Sequence, residues 1–321
     1  MSFDHNAFRT EVEHTQRRIA AYIRKTPCMR MERHTLAALS IEHDGEIWLK
    51  LEQLQVAGSF KARGMFNRML SVQVPEAGVT IASGGNAGIA TAYAARALNH
   101  RAGVFVPSVS SQAKRDALAA LGAEVRVQGE VYADALAACE QHQLSTGTLM
   151  MHAYDQPEVV AGAGTLAREI EQQIGTPDST LVSVGGGGLF AGVAGWFVNQ
   201  SQVVALEPEG APTLHAALQQ GEPVNVSVSG VAADSLGARR IGSIAWQVAQ
   251  STITQSLLLT DESILAAQRA LWQHYRLAIE PGAALPLAAL MTQAFKPKPG
   301  DRVCLIVCGA NVDLGALAAN A

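Results

Sequence analysis

The sequence predicts an α/β protein of two doubly wound, three-layer α/β/α units. Three observations predict it. Apolar runs of strand length alternate with helical patterns along most of the 321 residues. Those runs are continuously apolar, as strands covered on both faces must be. The chain is also long for one sheet, so two sheets are expected.

The elements follow in order. Residues 46–52 ("EIWLKLE") read as a strand. "VAGSFKARGMFNRM", from Val56, reads as a loop entering a helix. A strand at 79–83 precedes the alanine-rich helical stretch "NAGIATAYAARAL". The strand at 102–107 leads to "SQAKRDALAALG", a helix closed by Gly122. The strand at 123–128 leads to the helix "YADALAACEQH". Residues 148–154 read as a strand, 157–173 as a helix and 180–185 as a strand, with a further helix after the glycines. Strands at 202–208 and 302–309 complete the pattern.

Composition narrows the function classes. Hydrophobic residues make up 48% and charged residues 16%, as in a packed enzyme-like body rather than a disordered chain. The net charge is −4 with no basic block, which removes electrostatic support for nucleic-acid binding. No apolar run reaches the roughly 18–20 residues of a membrane span, and the polar start is unlike a signal peptide. Cys28, Cys139, Cys304 and Cys308 form no CxxC pair, so a reduced cytoplasm is the expected setting.

Two glycine-rich loops stand between a strand and a helix: "SGGNAG" from Ser83 to Gly88, and "GGGGLFAG" from Gly185 to Gly192. Such a turn presents backbone N–H groups at a helix N-terminus, where phosphate or carboxylate is favoured. Four successive glycines let the backbone approach a ligand with no Cβ between. Neither loop has the spacing of a dinucleotide fingerprint or a GxxxxGK[ST] loop. Lys61 on its own reads as a solvated residue at a helix start. Beside Phe60, and with two anion loops downstream, it suits a phosphate-bearing aldehyde, since lysine forms Schiff bases with carbonyls. Pyridoxal phosphate is the cofactor that fits.

"KLEQLQVAGSFKARG", "SGGNAG", "SVGGGGLFAG", "IEPGAA" and "VCGANVDL" together resemble, in order and spacing, the serine/threonine dehydratase and serine racemase family of fold type II pyridoxal-phosphate enzymes. The resemblance runs from about Thr26 to Leu314. It implies a cofactor in the cleft between a large domain (1–77 and 153–321) and a small mobile one (78–152). It implies that Lys61 holds the cofactor as a Schiff base and then serves as base on the substrate Cα, with Phe60 beside it. Asn86 would meet the cofactor's phenolic oxygen, and Gly185, Gly186, Gly187, Gly188 and Leu189 its phosphate. Cys308 would face the pyridine nitrogen. Ser83, Gly85, Asn86 and Ala87 would take the substrate carboxylate, with Ser83 counted among the catalytic residues. A neutral thiol opposite the ring nitrogen leaves a weaker electron sink, which favours β-elimination. The expected reaction takes water from a β-hydroxy amino acid and gives a 2-oxo acid and ammonia. In this family the cofactor's phosphate would relay the proton to the leaving hydroxide. The alternatives are a racemase or β-replacement enzyme, or a non-catalytic binding protein on the same scaffold. A homodimer or homotetramer is the family expectation.

Three departures qualify these implications. Gly84 stands where racemases carry a serine, so racemisation is expected to be poor. Ala87 stands where histidine is frequent, which suggests room for a larger β-substituent, as in phenylserine or 3-hydroxyaspartate. Glu207 and the Ala211 carbonyl match a Mg²⁺ or Ca²⁺ site, but Thr213 replaces its third ligand, an acid, and a hard cation wants charged oxygen. The chain ends at Ala321, soon after the last motif, which suggests a catabolic or specialised enzyme rather than a feedback-regulated one.

Overall fold

A computed structural model describes residues 3–252, 254–312 and 314–315; Asp313 of the last motif lies outside the described residues. Its strands are β1 (Cys28–Arg30), β2 (Glu46–Leu51), β3 (Val79–Ala82), β4 (Ala102–Val106), β5 (Glu124–Val127), β6 (Leu149–Met150), β7 (Ser179–Ser183), β8 (Gln202–Pro208), β9 (Thr254–Leu259) and β10 (Arg302–Val307). They form two sheets, of order β1-β2-β10-β7-β8-β9 and β5-β4-β3-β6. Every pairing is parallel except β1 with β2. The doubly wound expectation therefore holds, with one short antiparallel edge. No helix among the described residues is long and apolar enough to cross a membrane.

Two sequence-based boundaries move. The strand expected at 148–154 pairs as β6 only over Leu149–Met150. Beyond it the Gln156 side chain bonds the His152 N–H and the Met150 carbonyl, and His152 Nδ1 accepts the Tyr154 and Asp155 N–H groups. That clamp turns the backbone out of the sheet. β1 and β9 carry no pattern strong enough to read beforehand. The first is only three residues long.

The helix Lys61–Ser71 belongs to both halves of the molecule. Ala62, Met65, Phe66 and Met69 recur at helical spacing and join the core of the four-stranded sheet. The opposite side meets the helix Pro157–Ile174 through glycines, so close that a Cβ on Gly162 would lie 2.6 Å from the Gly64 nitrogen. Two residues on, a Cβ on Gly164 would meet the Gly192 carbonyl at 3.3 Å, in the helix Gly188–Phe197.

Beneath the start of the lysine helix lies a buried cluster of charge. Arg63 is fully buried and uses its whole guanidinium. Nε and Nη2 donate to Glu52 at 2.8 Å each, and Nη1 and Nη2 to Glu169 at 2.9 Å each. Nη1 also donates to Thr165 Oγ1 at 3.1 Å. Lys50 Nζ donates to Glu169 and to the Thr26 carbonyl, both at 2.8 Å, and the Thr26 hydroxyl donates to Glu52. Two acids face two bases, so the cluster carries no net charge. Desolvation alone would raise the Glu52 carboxyl; the Arg63 guanidinium, Lys50 and the Thr26 hydroxyl together more than offset it and hold the group below the usual range.

Because buried charge left without its partner costs about 3–5 kcal/mol, Glu169→Ala is expected to lower stability by that amount. Chemical denaturation followed by circular dichroism measures it; a loss under about 1 kcal/mol, typical of surface pairs, would contradict the burial argument.

Candidate active site

The carboxyl ends of β7 and β10 finish side by side, and the loops beyond them open into one cavity. Ligands in open α/β sheets bind at such edges. Phe60, Lys61, Asn86, Gly185, Gly186, Gly187, Gly188, Leu189 and Cys308 all line it. Motifs more than 200 residues apart in sequence are thus assembled on one surface. Tyr154, Ser183, Ser235, Leu236 and Glu280 complete the wall.

Lys61 is the first residue of its helix. The Phe60 N–H bonds the Cys308 carbonyl at 3.1 Å, and Ser59 bridges Gly309, so the strand after β10 fixes the entry. Lys61 Nζ donates to the Ala153 carbonyl at 2.6 Å and lies 5.0 Å from the Phe60 ring centre. Removal from water pushes its ammonium down to about 8, against the pull of Cys308 and Glu280. A lysine so placed is partly neutral in ordinary buffer and able to attack a carbonyl.

The four-glycine loop is close-packed. Gly187 sits at φ 87° and precedes the helix Gly188–Phe197. A Cβ there would run into Ala245 and lie 2.6 Å from Ile241 Cδ1. On Gly188 it would lie 2.9 Å from the Tyr154 carbonyl, and on Gly186 it would enter the Tyr154 ring. Thr213 Oγ1 lies 2.5 Å from the Gly185 carbonyl, which ties the loop to the next helix.

Asn86 opens the second N-terminus, that of the helix Asn86–Ala97. Its amide nitrogen donates to both oxygens of Glu280 at 2.8 Å, and its oxygen accepts from Asn311 at 2.5 Å. The loop before it holds Ser83, whose Oγ accepts the Gly85 N–H at 3.4 Å. Ser83, Gly85 and Ala87 do not line the cavity with Lys61. The Ala87 methyl is buried in the core of the four-stranded sheet, so it neither narrows nor widens the pocket, contrary to the space argument made from sequence. A Cβ on Gly84 would point at Val106 and at Ser110 Oγ, 3.4 Å away.

The cation site expected at Glu207 and Ala211 is not formed. Glu207 is fully buried and both oxygens are taken, by the Leu214 N–H at 2.7 Å and the His215 N–H at 2.8 Å. Thr213 and Ser256 hydroxyls add contacts at 3.1 and 3.2 Å. The Ala211 carbonyl accepts the Thr213 N–H. The carboxylate instead caps the helix Thr213–Gln220. No metal-sized group of three His, Cys, Asp or Glu side chains exists among the described residues.

Sequence reading passed over Glu280 and Tyr154. Glu280 stands inside "IEPGAA", where an acid next to a proline–glycine turn is the local signal. Tyr154 lay in an expected strand and gave no signal.

A profile of the family described as pyridoxal-phosphate dependent enzymes matches residues 19–309. The chain belongs to that family. It is 35% identical over 274 residues to the L-threonine ammonia-lyase of Geobacter sulfurreducens, covering 84% of this chain and 68% of that one. It is 34% identical over 276 residues to the phenylserine dehydratase of Ralstonia pickettii, covering 84% of each. Maize serine racemase superposes with a TM-score of 0.89 at 27% identity, over 97% of this chain and 95% of the other.

The cavity fits the cofactor the family takes. Tyr154, Ile241 and Ala245 close in behind the loop so tightly that only glycine brings its backbone to the cavity surface, and Lys61 lines the same cavity. At the cavity wall, the buried Ser183 hydroxyl has no hydrogen-bond partner, an expense of about 1–3 kcal/mol that a bound polar group would recover.

Two outcomes follow. Gly187→Ala should weaken pyridoxal-phosphate affinity by about five- to 150-fold, since strain at such a position costs about 1–3 kcal/mol; titration of the apo-enzyme by visible absorbance checks it, and an unchanged affinity would remove the cradle from the site. Capture of the aldehyde needs the neutral amine, so the reloading rate should climb as pH rises through about 8 and then level. A rate flat across that range would place the amine elsewhere.

Proposed function

We propose that this pyridoxal-phosphate enzyme is an ammonia-lyase that removes water from a β-hydroxy amino acid, giving a 2-oxo acid and ammonia. The observation that carries the reading is the meeting of Lys61 with the Gly185–Gly188 cradle across one cavity. The threonine ammonia-lyase and phenylserine dehydratase among its relatives support it. When bound, the cofactor supplies an electron sink that acidifies the α-proton of an amino acid joined to it.

The chain's own residues supply the rest. The N–H groups at Gly185–Leu189 and the helix behind them hold the phosphate. Cys308 would face the cofactor's ring nitrogen, and burial drives its thiol far up, so it stays neutral there. The loop from Ser83 to Ala87 reaches the cavity through Asn86, and the N–H groups at that helix N-terminus would take the substrate carboxylate. Lys61 holds the cofactor and takes the α-proton. The product leaves as an unsaturated amine that hydrolyses in water.

Tyr154 is half-buried on the cavity wall and forms an edge-to-face pair with His152, ring centres 4.7 Å apart. This aromatic surface suits a β-substituent larger than methyl. At position 84 there is no hydroxyl for a second face, which weighs against racemisation. The segment 78–152 is read as a small domain that closes on 1–77 and 153–321. Four free cysteines suit a cytoplasmic setting, and a homodimer or homotetramer is the expected assembly.

The test is a panel of serine, threonine, 3-hydroxyaspartate and phenylserine with 2-oxo acid and ammonia as readouts. Elimination is expected from at least one, with Lys61→Ala lower by about 100-fold or more. Strict preference for serine would defeat the larger-substituent reading, and racemisation outrunning elimination would defeat the ammonia-lyase reading.

A further inference from the structure

Ser183 ends β7 and is 3% exposed. Its hydroxyl offers one proton and two lone pairs, and none of them meets a partner. Every other hydrogen-bonding side chain on the described cavity wall is engaged. Lys61 donates to the Ala153 carbonyl, and Asn86 donates to Glu280. Tyr154 donates to the Arg240 carbonyl and Ser235 to the Ala232 carbonyl, both at 3.4 Å. The Cys308 thiol meets the Gly282 carbonyl at 3.9 Å. A buried hydroxyl left alone is costly, so an unpaired one on a ligand cavity points to a group on the ligand.

The position of Ser183 narrows which group. β7 and β10 are parallel neighbours, with Leu181 beside Leu305. Two residues on, the same register brings Ser183 level with Val307, the residue before Cys308. The Val184 N–H still bonds the Leu206 carbonyl, so the chain leaves the sheet only beyond Ser183, on its way to the Gly185–Gly188 cradle. Ser183 and Cys308 therefore sit together at the sheet edge. Of the polar groups on pyridoxal phosphate, the aldehyde has Lys61, the phenolic oxygen has Asn86 and the phosphate has the cradle. The ring nitrogen has only a thiol, which is a weak donor.

We propose that Ser183 is a cofactor-binding residue whose hydroxyl donates to the pyridine nitrogen beside the Cys308 thiol, so that two neutral donors share that atom. A hydroxyl is far too weak an acid to give its proton up to a pyridine, and the buried thiol stays protonated. The pair therefore steadies the ring while its nitrogen stays uncharged. The proposal rests on the family's cofactor and on none of the substrate readings.

The wild-type apo-enzyme and its Ser183→Ala and Ser183→Cys variants would be titrated with pyridoxal phosphate and with its analogue carrying C–H in place of the ring nitrogen. Absorbance of the Schiff base follows binding, and thermal unfolding is recorded before and after loading. Ser183→Ala should weaken pyridoxal-phosphate affinity at least about fivefold, the cost of one buried polar group left unpaired. Ser183→Cys, still a weak donor, should lose less. On the nitrogen-free analogue, wild type and Ser183→Ala should agree within about twofold, since the contact is absent from both. The Ser183→Ala apo-enzyme should melt no lower than wild type, because the unpaired hydroxyl is gone, yet gain less on loading. Equal losses on both cofactors would put the hydroxyl on another atom, such as a phosphate oxygen. An unchanged affinity would leave it to a trapped water, and a loss matched by a lower apo Tm would make Ser183 a packing residue only. Each of these three results overturns the proposal.

Discussion

The position of Lys61 depends on an arginine two residues away. Arg63 is held on two sides by Glu52 and Glu169, in a plane that leaves no N–H unpaired. A guanidinium bound in this way cannot turn without breaking charge-assisted bonds in a dry interior. The first turn of the helix is therefore fixed in rotation as well as in place. Glu52 comes from just past the end of β2, Glu169 from the helix Pro157–Ile174, and Lys50 from the next-to-last position of β2. The Lys61 amine is thereby pinned to the six-stranded sheet by groups buried beneath the cavity rather than lining it.

Above that fixed floor, the other contributors come from opposite parts of the chain. Asn86 heads a helix that follows β3 of the four-stranded sheet. Its amide is nonetheless held by Glu280 and Asn311, which flank β10 of the six-stranded sheet. The orientation of one small side chain is thus decided from across the cavity. An exposed ion pair, Lys114 with Asp234 at 2.9 Å, spans the same opening farther out. Screening by water makes that outer contact weak, so the inner amide–carboxyl contact is the stronger link.

Much of this was legible in the sequence where the signal is local. Alternating apolar runs gave both sheets, and consecutive glycines gave the cradle, because each is a property of neighbouring residues. The limits came where contacts are distant. Lys50 and Glu52 look like ordinary charges on a strand until Arg63 and Glu169 arrive from elsewhere to neutralise them. Glu207 reads as a candidate ligand until the N-terminus of Thr213–Gln220 is seen to occupy both oxygens. Ala87 reads as pocket space until its methyl is found in a core. Tyr154 could not be separated from β6 because the bonds that end the strand run through the side chains of His152 and Gln156.

The glycine contacts along the helix Pro157–Ile174 have a further consequence. Gly162 receives the lysine helix and Gly164 the helix behind the phosphate cradle, each at backbone distance. One rod thereby sets the span between the amine and the anion loop, much as a gauge block sets the jaws of a caliper. The span is defined by atoms that are missing, so side chains around the rim can change without altering it. A ligand that engages both Lys61 and the Gly185–Gly188 loop must match that length. Adaptation to new amino acids is then free to work on the walls, while the reach of the cofactor stays constant.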